Sequence, residues 1–175
     1  MLNVNPINAQ QNADLSVILN HYAARNYSTE PVPRSDLDRI VQAGVRAPSA
    51  SNRQPWHFTV VQDRSLGRQL VSNLTEGNAL IIVSSQGDGK TNIVQTIDGA
   101  LAVQSIYLAA QALGYGSRIY TGPVANLNNN LKSTFSIPSG YSAVAVVRIG
   151  KLQGNVDAVS AASARKNASE VVTYK

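Results

Sequence analysis

The residues best equipped for chemistry lie in one short run, Arg46 to Phe58, which reads RAPSASNRQPWHF. Pro48 and Pro55 fix their own φ and push Ala47 and Gln54 toward extended backbone. Between them Ser49, Ser51, Asn52, Arg53 and Gln54 crowd hydrogen-bonding groups into one segment, and Trp56, the single tryptophan, follows. A stiff, polar loop between two core-forming elements suits gripping a ligand; the plainer alternative is a proline-capped turn whose tryptophan fills the core. A second candidate is Ser84 to Thr91, SSQGDGKT. Its end matches a phosphate-cradling loop, but the first glycine of that motif is replaced by Ser84, and no later strand ends in an Asp suited to Mg²⁺. His21 and His57 are the only histidines, and the chain has no cysteine. Thiolate chemistry, disulfides and Cys-built metal sites are thereby excluded, and a histidine metal site or catalytic triad lacks partners.

The run Ala47 to Phe58 resembles the nitroreductase family of FMN enzymes, whose early loop reads A-P-S-x-x-N-x-Q-P-W-x-F. Ala47, Pro48, Ser49, Asn52, Gln54, Pro55, Trp56 and Phe58 match it in order. Further segments agree. The stretch LAAQALGYGS, with Gln104 before it, resembles the end of that family's central helix, and Arg165, Lys166, Glu170, Val171 and Val172 resemble its C-terminal signature. The resemblance implies a cofactor site in which the phosphate of FMN meets His21, Arg25 and Arg165. The family's first basic segment is R-x-S-x-R/K; here those positions are His21, Ala23 and Arg25, so Ala23 brings no donor and Arg165 compensates in part. By the same resemblance Pro48, Ser49, Ala50, Asn52 and Gln54 line the flavin of a partner subunit. Thr121 and Gly122 then present backbone N–H groups to its reactive nitrogen, where a residue without Cβ allows close approach. No metal and no catalytic side chain is implied, because the flavin carries the chemistry.

These residues need elements to position them. Leu15, Ile18, Leu19 and Tyr22 have helical spacing, which predicts an amphipathic helix from about Asp14 to Arg25. A second helix is predicted after Ser35 as N-cap, with Leu37, Ile40, Val41 and Val45 as its buried stripe. Strands are predicted at residues 57–62, 79–85, 117–120 and 141–149, the second and fourth buried on both faces. Short helices are predicted at residues 64–74 and 124–133. The longest helix, Thr96 to Leu113, is apolar nearly all round and ends at Gly114, so one face needs a cover that a second copy of the chain would provide. The 175 residues and 43% hydrophobic content allow one domain, 1–175, with a core over 1–150 and an arm over 151–175 ending in the strand-like Val171 to Tyr174.

The expected class is α+β: a mixed, mostly antiparallel sheet flanked by helices, in a homodimer whose C-terminal arms are exchanged. The net charge of +5 is spread along the chain rather than clustered, which argues against nucleic acid as a partner. The N-terminus lacks a secretory pattern and the uncharged run Gly99 to Gly116 is too polar for a membrane span, so a cytoplasmic protein is expected. The function implied by the resemblance is FMN-dependent transfer of hydride from NAD(P)H to a small oxidised acceptor (nitroaromatic, quinone or flavin) by a ping-pong mechanism. Two other readings are a flavin-binding carrier or redox sensor without turnover, and a P-loop nucleotide hydrolase.

Overall fold

A computed structural model describes residues 9–154 and 165–175, with side chains from Leu15 onward. The middle of the expected arm lies outside the described residues. Four strands form one sheet in the order β1 (Trp56–Val61), β2 (Ala79–Gln86), β4 (Tyr141–Gly150), β3 (Gly116–Tyr120). Every pairing between these strands is antiparallel, so among the described residues the sheet is not mixed. The two runs that read as continuous apolar segments, β2 and β4, occupy the centre and are buried on both faces. Ile81, Val83, Val147 and Ile149 face α2 (Arg34–Val45) and α4 (Ile93–Ala112); Leu80, Ile82 and Val146 face Leu74, Leu127 and Phe135. Between Val83 and Ser84 of β2 the register shifts by one, leaving Val144 of β4 as the extra residue of a bulge.

α4 is the spine of the domain. It ends in a Schellman arrangement, with Gly114 at φ 82°, its N–H on the Gln111 carbonyl and the Tyr115 N–H on the Ala110 carbonyl. Gly99 and Gly44 set its packing distances. A Cβ on Gly99 would lie 2.9 Å from Val144 Cγ2, and one on Gly44 would lie 2.8 Å from Ile106 Cδ1, so sheet and α2 approach α4 too closely for alanine. One face of α4 is covered by these neighbours. On the opposite face Ile93, Val94, Ile97 and Leu101 stay exposed, at 68%, 39%, 53% and 38%. By length and composition α4 would also suffice to cross a membrane, contrary to the polar reading of residues 99–116, but its packed face is that of a core helix.

Several boundaries differ from expectation. α1 (Ala9–Asn20) stops before His21 rather than near Arg25, because the following residues bond to the edge of β3: the Ala24 N–H donates to the Ser117 carbonyl. Leu15, Ile18 and Leu19, expected on a buried face, are exposed. α2 has Pro33, not Ser35, at its N-cap. Residues 64–74 yield only α3 (Arg64–Gly67), capped by the Asp63 carboxylate, and then turns. Residues 124–133 form a short α5 (Val124–Asn126) and a π-helical turn, Leu127–Leu131. At the C-terminus the strand-like reading of residues 171–174 fails: Asn167 and Glu170 make a capping box that starts α6 (Ala168–Val171), and residues 172–174 pair with no strand among the described residues.

One buried charge escaped the sequence reading altogether. Arg148 on β4 is 2% exposed. Its Nε donates to Asn78 Oδ1 and its Nη2 to Thr75 Oγ1, each at 2.8 Å, and its guanidinium lies 3.9 Å from the Tyr27 ring centre. Neutral acceptors and an aromatic face satisfy this cation without a carboxylate.

Candidate functional site

The loop before β1 is held in a conformation its residues resist. Ser51, Asn52 and Gln54 have φ values of 53°, 54° and 50°, in the left-handed region that side chains disfavour. Gln54 is the sharpest departure, because the residue before a proline was expected to be extended. Local bonds lock the shape. The Gln54 N–H donates to Ser49 Oγ at 3.0 Å, and the Gln54 amide donates to Asn52 Oδ1 at 3.2 Å. From the core, Asp98 Oδ1 accepts the Ala50 N–H at 3.0 Å. The Pro55 carbonyl accepts the Gln86 N–H at 2.8 Å, tying the loop to the end of β2. Pro48, Asn52 and Gln54 remain exposed and Ser49 and Ala50 half-buried, so the strained segment presents its polar groups outward.

His21 and Arg25 lie in a segment docked on the far end of α4 through Tyr22 and Ala24. His21 Nδ1 lies 3.4 Å from Tyr107 Oη, with the rings edge-to-face at 5.5 Å. The Tyr107 hydroxyl is pushed above its ordinary pKa by burial, with the neighbouring Gln111 side chain and the positive charge of Arg165 acting in the opposite direction. Gln111 fixes this segment: its Oε1 accepts the Tyr22 N–H at 3.2 Å, and its Nε2 donates to the Tyr22 carbonyl and to Ser117 Oγ at 2.9 Å each. Arg25 is exposed beside the buried Ala24.

Thr121 and Gly122 form a third group, exposed in the turn after β3. A Cβ on Gly122 would meet nothing within 4 Å, so its backbone faces open space. Within one chain the three groups stay apart. Asp98, under the loop, and Tyr107 are separated by roughly 14 Å along α4 at its 1.5 Å rise per residue. β1 and β3 are opposite edges of the sheet, three strand spacings or roughly 14 Å apart. The structure thus packs His21 on Tyr107 and gathers Pro48 to Gln54 in one loop, but does not join these sets in a single chain.

Two residues of this arrangement were not found from sequence, Asp98 and Tyr107. Asp98 is 3% exposed, with Oδ2 buried and without a partner among the described residues. The available signal was its position as the single acid inside an apolar helix. His57, at the start of β1, lies edge-on to Tyr141 at 6.3 Å, its buried Nδ1 without a partner among the described residues.

The segment Ser84 to Thr91 makes no phosphate cradle. Asp88 Oδ1 accepts the N–H groups of Lys90 and Thr91 at 2.8 and 2.7 Å, and Oδ2 accepts Thr91 Oγ1 at 2.9 Å. The amides that would surround a phosphate are turned onto a carboxylate, whose pKa falls to about 2, chiefly through the Thr91 N–H. A cleft of about 700 Å³ beside it is lined by Asp88, Lys90, Asn128 and Lys132, but by none of the expected site residues.

Comparison with known proteins gives a consistent set of likenesses. A family model described as "Nitroreductase family" matches residues 18–80. A protein of Archaeoglobus fulgidus, provisionally named NADH dehydrogenase/NAD(P)H nitroreductase, is 32% identical over 146 residues, 78% of this chain and 83% of that protein. Among solved structures, a nitroreductase with bound FMN from Desulfitobacterium hafniense has a TM-score of 0.73 at 21% identity, covering 93% of this chain and 98% of that one. A second, with bound FMN from Bacteroides fragilis, has a TM-score of 0.74 at 19% identity, covering 92% and 97%. At those identities the structural likenesses establish the fold.

Proposed function

The chain belongs to the nitroreductase family of oxidoreductases, and from that premise we propose that it binds FMN between two copies of itself and oxidises NAD(P)H. Bound FMN would supply the hydride chemistry, taking hydride from NAD(P)H and passing it to a small oxidised acceptor (nitroaromatic, quinone or flavin) in a second, ping-pong half-reaction. What this chain's residues contribute is binding, orientation and electrostatics.

The residues present fit the cofactor. A flavin nucleotide needs cations and donors for its phosphate, polar groups along its ribityl chain and an unobstructed backbone near its ring. His21, Arg25 and Arg165 answer the first requirement. The exposed side chains of Asn52 and Gln54 and the half-buried Ser49 answer the second, Pro48 and Ala50 giving that loop its shape. Gly122, with open space where a side chain would stand, answers the third. The single observation that carries the reading is the braced, left-handed loop at Ser51, Asn52 and Gln54, which holds exposed polar groups outward beside the end of β2. A second copy is supported by the exposed apolar stripe of α4, which a partner's stripe would cover, and by the separation of the loop from the basic cluster. A cytoplasmic setting, with no nucleic acid and no membrane as partner, belongs to the same reading.

The test is direct. Purified protein is mixed with FMN and NADH or NADPH without oxygen, and the flavin absorbance is followed. Bound flavin that bleaches rapidly, and recovers its colour on adding a quinone, supports the oxidoreductase. Flavin that binds but stays oxidised gives the carrier or sensor instead, and a protein that binds no FMN overturns both.

A further inference from the structure

Resting on the reading above, we propose that the cleft between the Asp88 turn and the π-helical turn Leu127–Leu131 receives a phosphate monoester, held by Lys132 and Lys90, and that this site selects NADPH over NADH as the reductant.

Position comes first. Antiparallel pairing puts four connections at one end of the sheet: the loop that enters β1, the Asp88 turn that leaves β2, the Thr121–Gly122 turn that leaves β3 and the Gly140 turn that enters β4. β3 ends with Tyr120 opposite Val146, so residues 141–145 of β4 have no strand on that side among the described residues. The cleft lies there, against Gly140 and Ser142, and its volume of about 700 Å³ suits a small organic ligand. Ala125 in its wall stands three residues beyond Gly122. The cleft therefore adjoins the backbone that the flavin reading sets at the reactive edge of the ring, where a nicotinamide has to arrive.

The walls are pinned by bonds made behind them. Asn128 clamps the open edge of β4, accepting the Ala143 N–H at 2.7 Å and donating to the Ala143 carbonyl at 3.2 Å. Half-buried Lys132 donates from Nζ to the Tyr141 carbonyl at 2.6 Å, which fixes its ammonium at the cleft and leaves its other protons for a ligand. The Gly87 N–H donates to the Gly140 carbonyl at 2.7 Å and ties the two turns together. Among the described residues neither Lys132 nor the exposed Lys90 has an ion-pair partner. Asp88 is the carboxylate in the lining, and its oxygens already accept the Lys90 and Thr91 N–H groups and the Thr91 hydroxyl. Asn129 and Ser142 add an amide and a hydroxyl that make no side-chain hydrogen bond among the described residues. Two ammonium groups with neutral donors beside them complement a doubly charged phosphate monoester, which lysine binds as a point charge. The backbone amides of the Asp88 turn are spent, so side chains would do the holding. Between the two reductants, only NADPH carries such a group, the 2′-phosphate of its adenosine.

The test uses the adenosine halves of the two reductants: adenosine 2′,5′-bisphosphate for NADPH and 5′-AMP for NADH. Each is titrated by calorimetry into the purified wild type, Lys132→Met and Lys90→Met, with melting temperatures measured alongside. Wild type is expected to bind the bisphosphate about tenfold or more tightly than 5′-AMP. Lys132→Met should lose about tenfold for the bisphosphate alone, the worth of one hydrogen bond to a charged group. Lys90→Met, an exposed change that leaves the bond to Tyr141 in place, should lose affinity in the same selective way, and it carries the test if Lys132→Met fails to fold. Equal affinity of the wild type for the two probes overturns the proposal, as does discrimination that survives in both variants. Neither result touches the oxidoreductase reading, which is judged by bleaching of bound flavin with either reductant. Discrimination in a protein that binds no FMN overturns that reading, and with it the assignment of the phosphate to a reductant.

Discussion

Asp98 offers the clearest test of how the strained loop is held. Replacing it by alanine removes the acceptor of the Ala50 N–H, a charge-assisted bond of 3.0 Å. Such a bond contributes about 1.5–3 kcal/mol. What it opposes is the tendency of Ser51, Asn52 and Gln54 to leave the left-handed region, at about 1 kcal/mol or more for each residue. The side-chain locks that remain, Ser49 Oγ on the Gln54 N–H and Gln54 on Asn52, are neutral and exposed, and are worth less. Removing Asp98 therefore tips the loop toward relaxed shapes by roughly 2 kcal/mol, which is about a thirtyfold loss of affinity for whatever the loop is shaped to contact. Global stability should change far less. The carboxylate is 3% exposed and its Oδ2 has no partner among the described residues, so its removal relieves a desolvation cost that offsets the lost bond.

The expected signature is a dissociation of the two readouts. By flavin fluorescence, Asp98→Ala binds FMN about thirtyfold more weakly; by thermal melting it unfolds close to wild type. Asp98→Asn keeps an oxygen for the Ala50 N–H but buries an amide donor where Oδ2 was, and should fall between them. Wild-type FMN affinity in Asp98→Ala would refute the reasoning. So would a loss of stability as large as the loss of affinity, since that describes a core residue and not a brace for the loop.

Two further outcomes follow from the same kind of accounting. Arg148→Lys should be more destabilising than Arg148→Met, by urea unfolding: lysine keeps a buried charge while forfeiting the fork onto Asn78 and Thr75, at a cost of about 3 kcal/mol, whereas methionine orphans the neutral acceptors on Asn78, Thr75 and Asn73 but removes the charge, costing about 1–2 kcal/mol; the reverse order would sink this account. The Asp88 carboxyl, held to a pKa of about 2 by the Thr91 and Lys90 N–H groups, should titrate near that value by NMR in the folded protein. Because the folded value lies below the ordinary 3.8, the turn is supported fully above that ordinary value and loses support as pH falls toward 2; a midpoint at 3.8 would mean that the Asp88 turn is not formed in solution.

How much of this was legible depended on whether a residue's role is local. β2 and β4 could be read directly, because a run such as Ala79 to Ser85 has the length and composition of a strand buried on both faces. The loop from Pro48 to Gln54 was legible as a site by residue type, but its shape was not: nothing in Ser51 or Gln54 announces a left-handed backbone, which arises from bonds made between them and to Asp98. α1 was misplaced for the same reason. Leu15, Ile18 and Leu19 have helical spacing, but the register of residues 21–24 along β3 ends the helix, and that contact is a tertiary fact. Arg148 was invisible because its acceptors come from the turn at residues 73–78, and Tyr107 because its neighbour His21 is distant in sequence.

α4 also acts as a ruler that dictates what a complete site requires. The strained loop attaches at Asp98 and the basic cluster at Tyr107, on the same helix but roughly 14 Å apart along it. A flavin nucleotide held by both sets in one chain would have to bridge that distance along a helix whose exposed residues between them include Leu101 and Gln104. A two-fold axis removes the difficulty. When two copies of α4 cross antiparallel, residues equidistant from the crossing point are brought side by side. For Asp98 of one copy to lie near Tyr107 of the other, the axis must pass close to residues 102 and 103. Their buried side chains face the sheet, and the exposed neighbour Leu101, with Ile97 a turn before it, is what the crossing would cover. The uncovered apolar stripe runs from Ile93 to Leu101, so in the proposed dimer a partner helix would cover the part of α4 that leads up to this crossing.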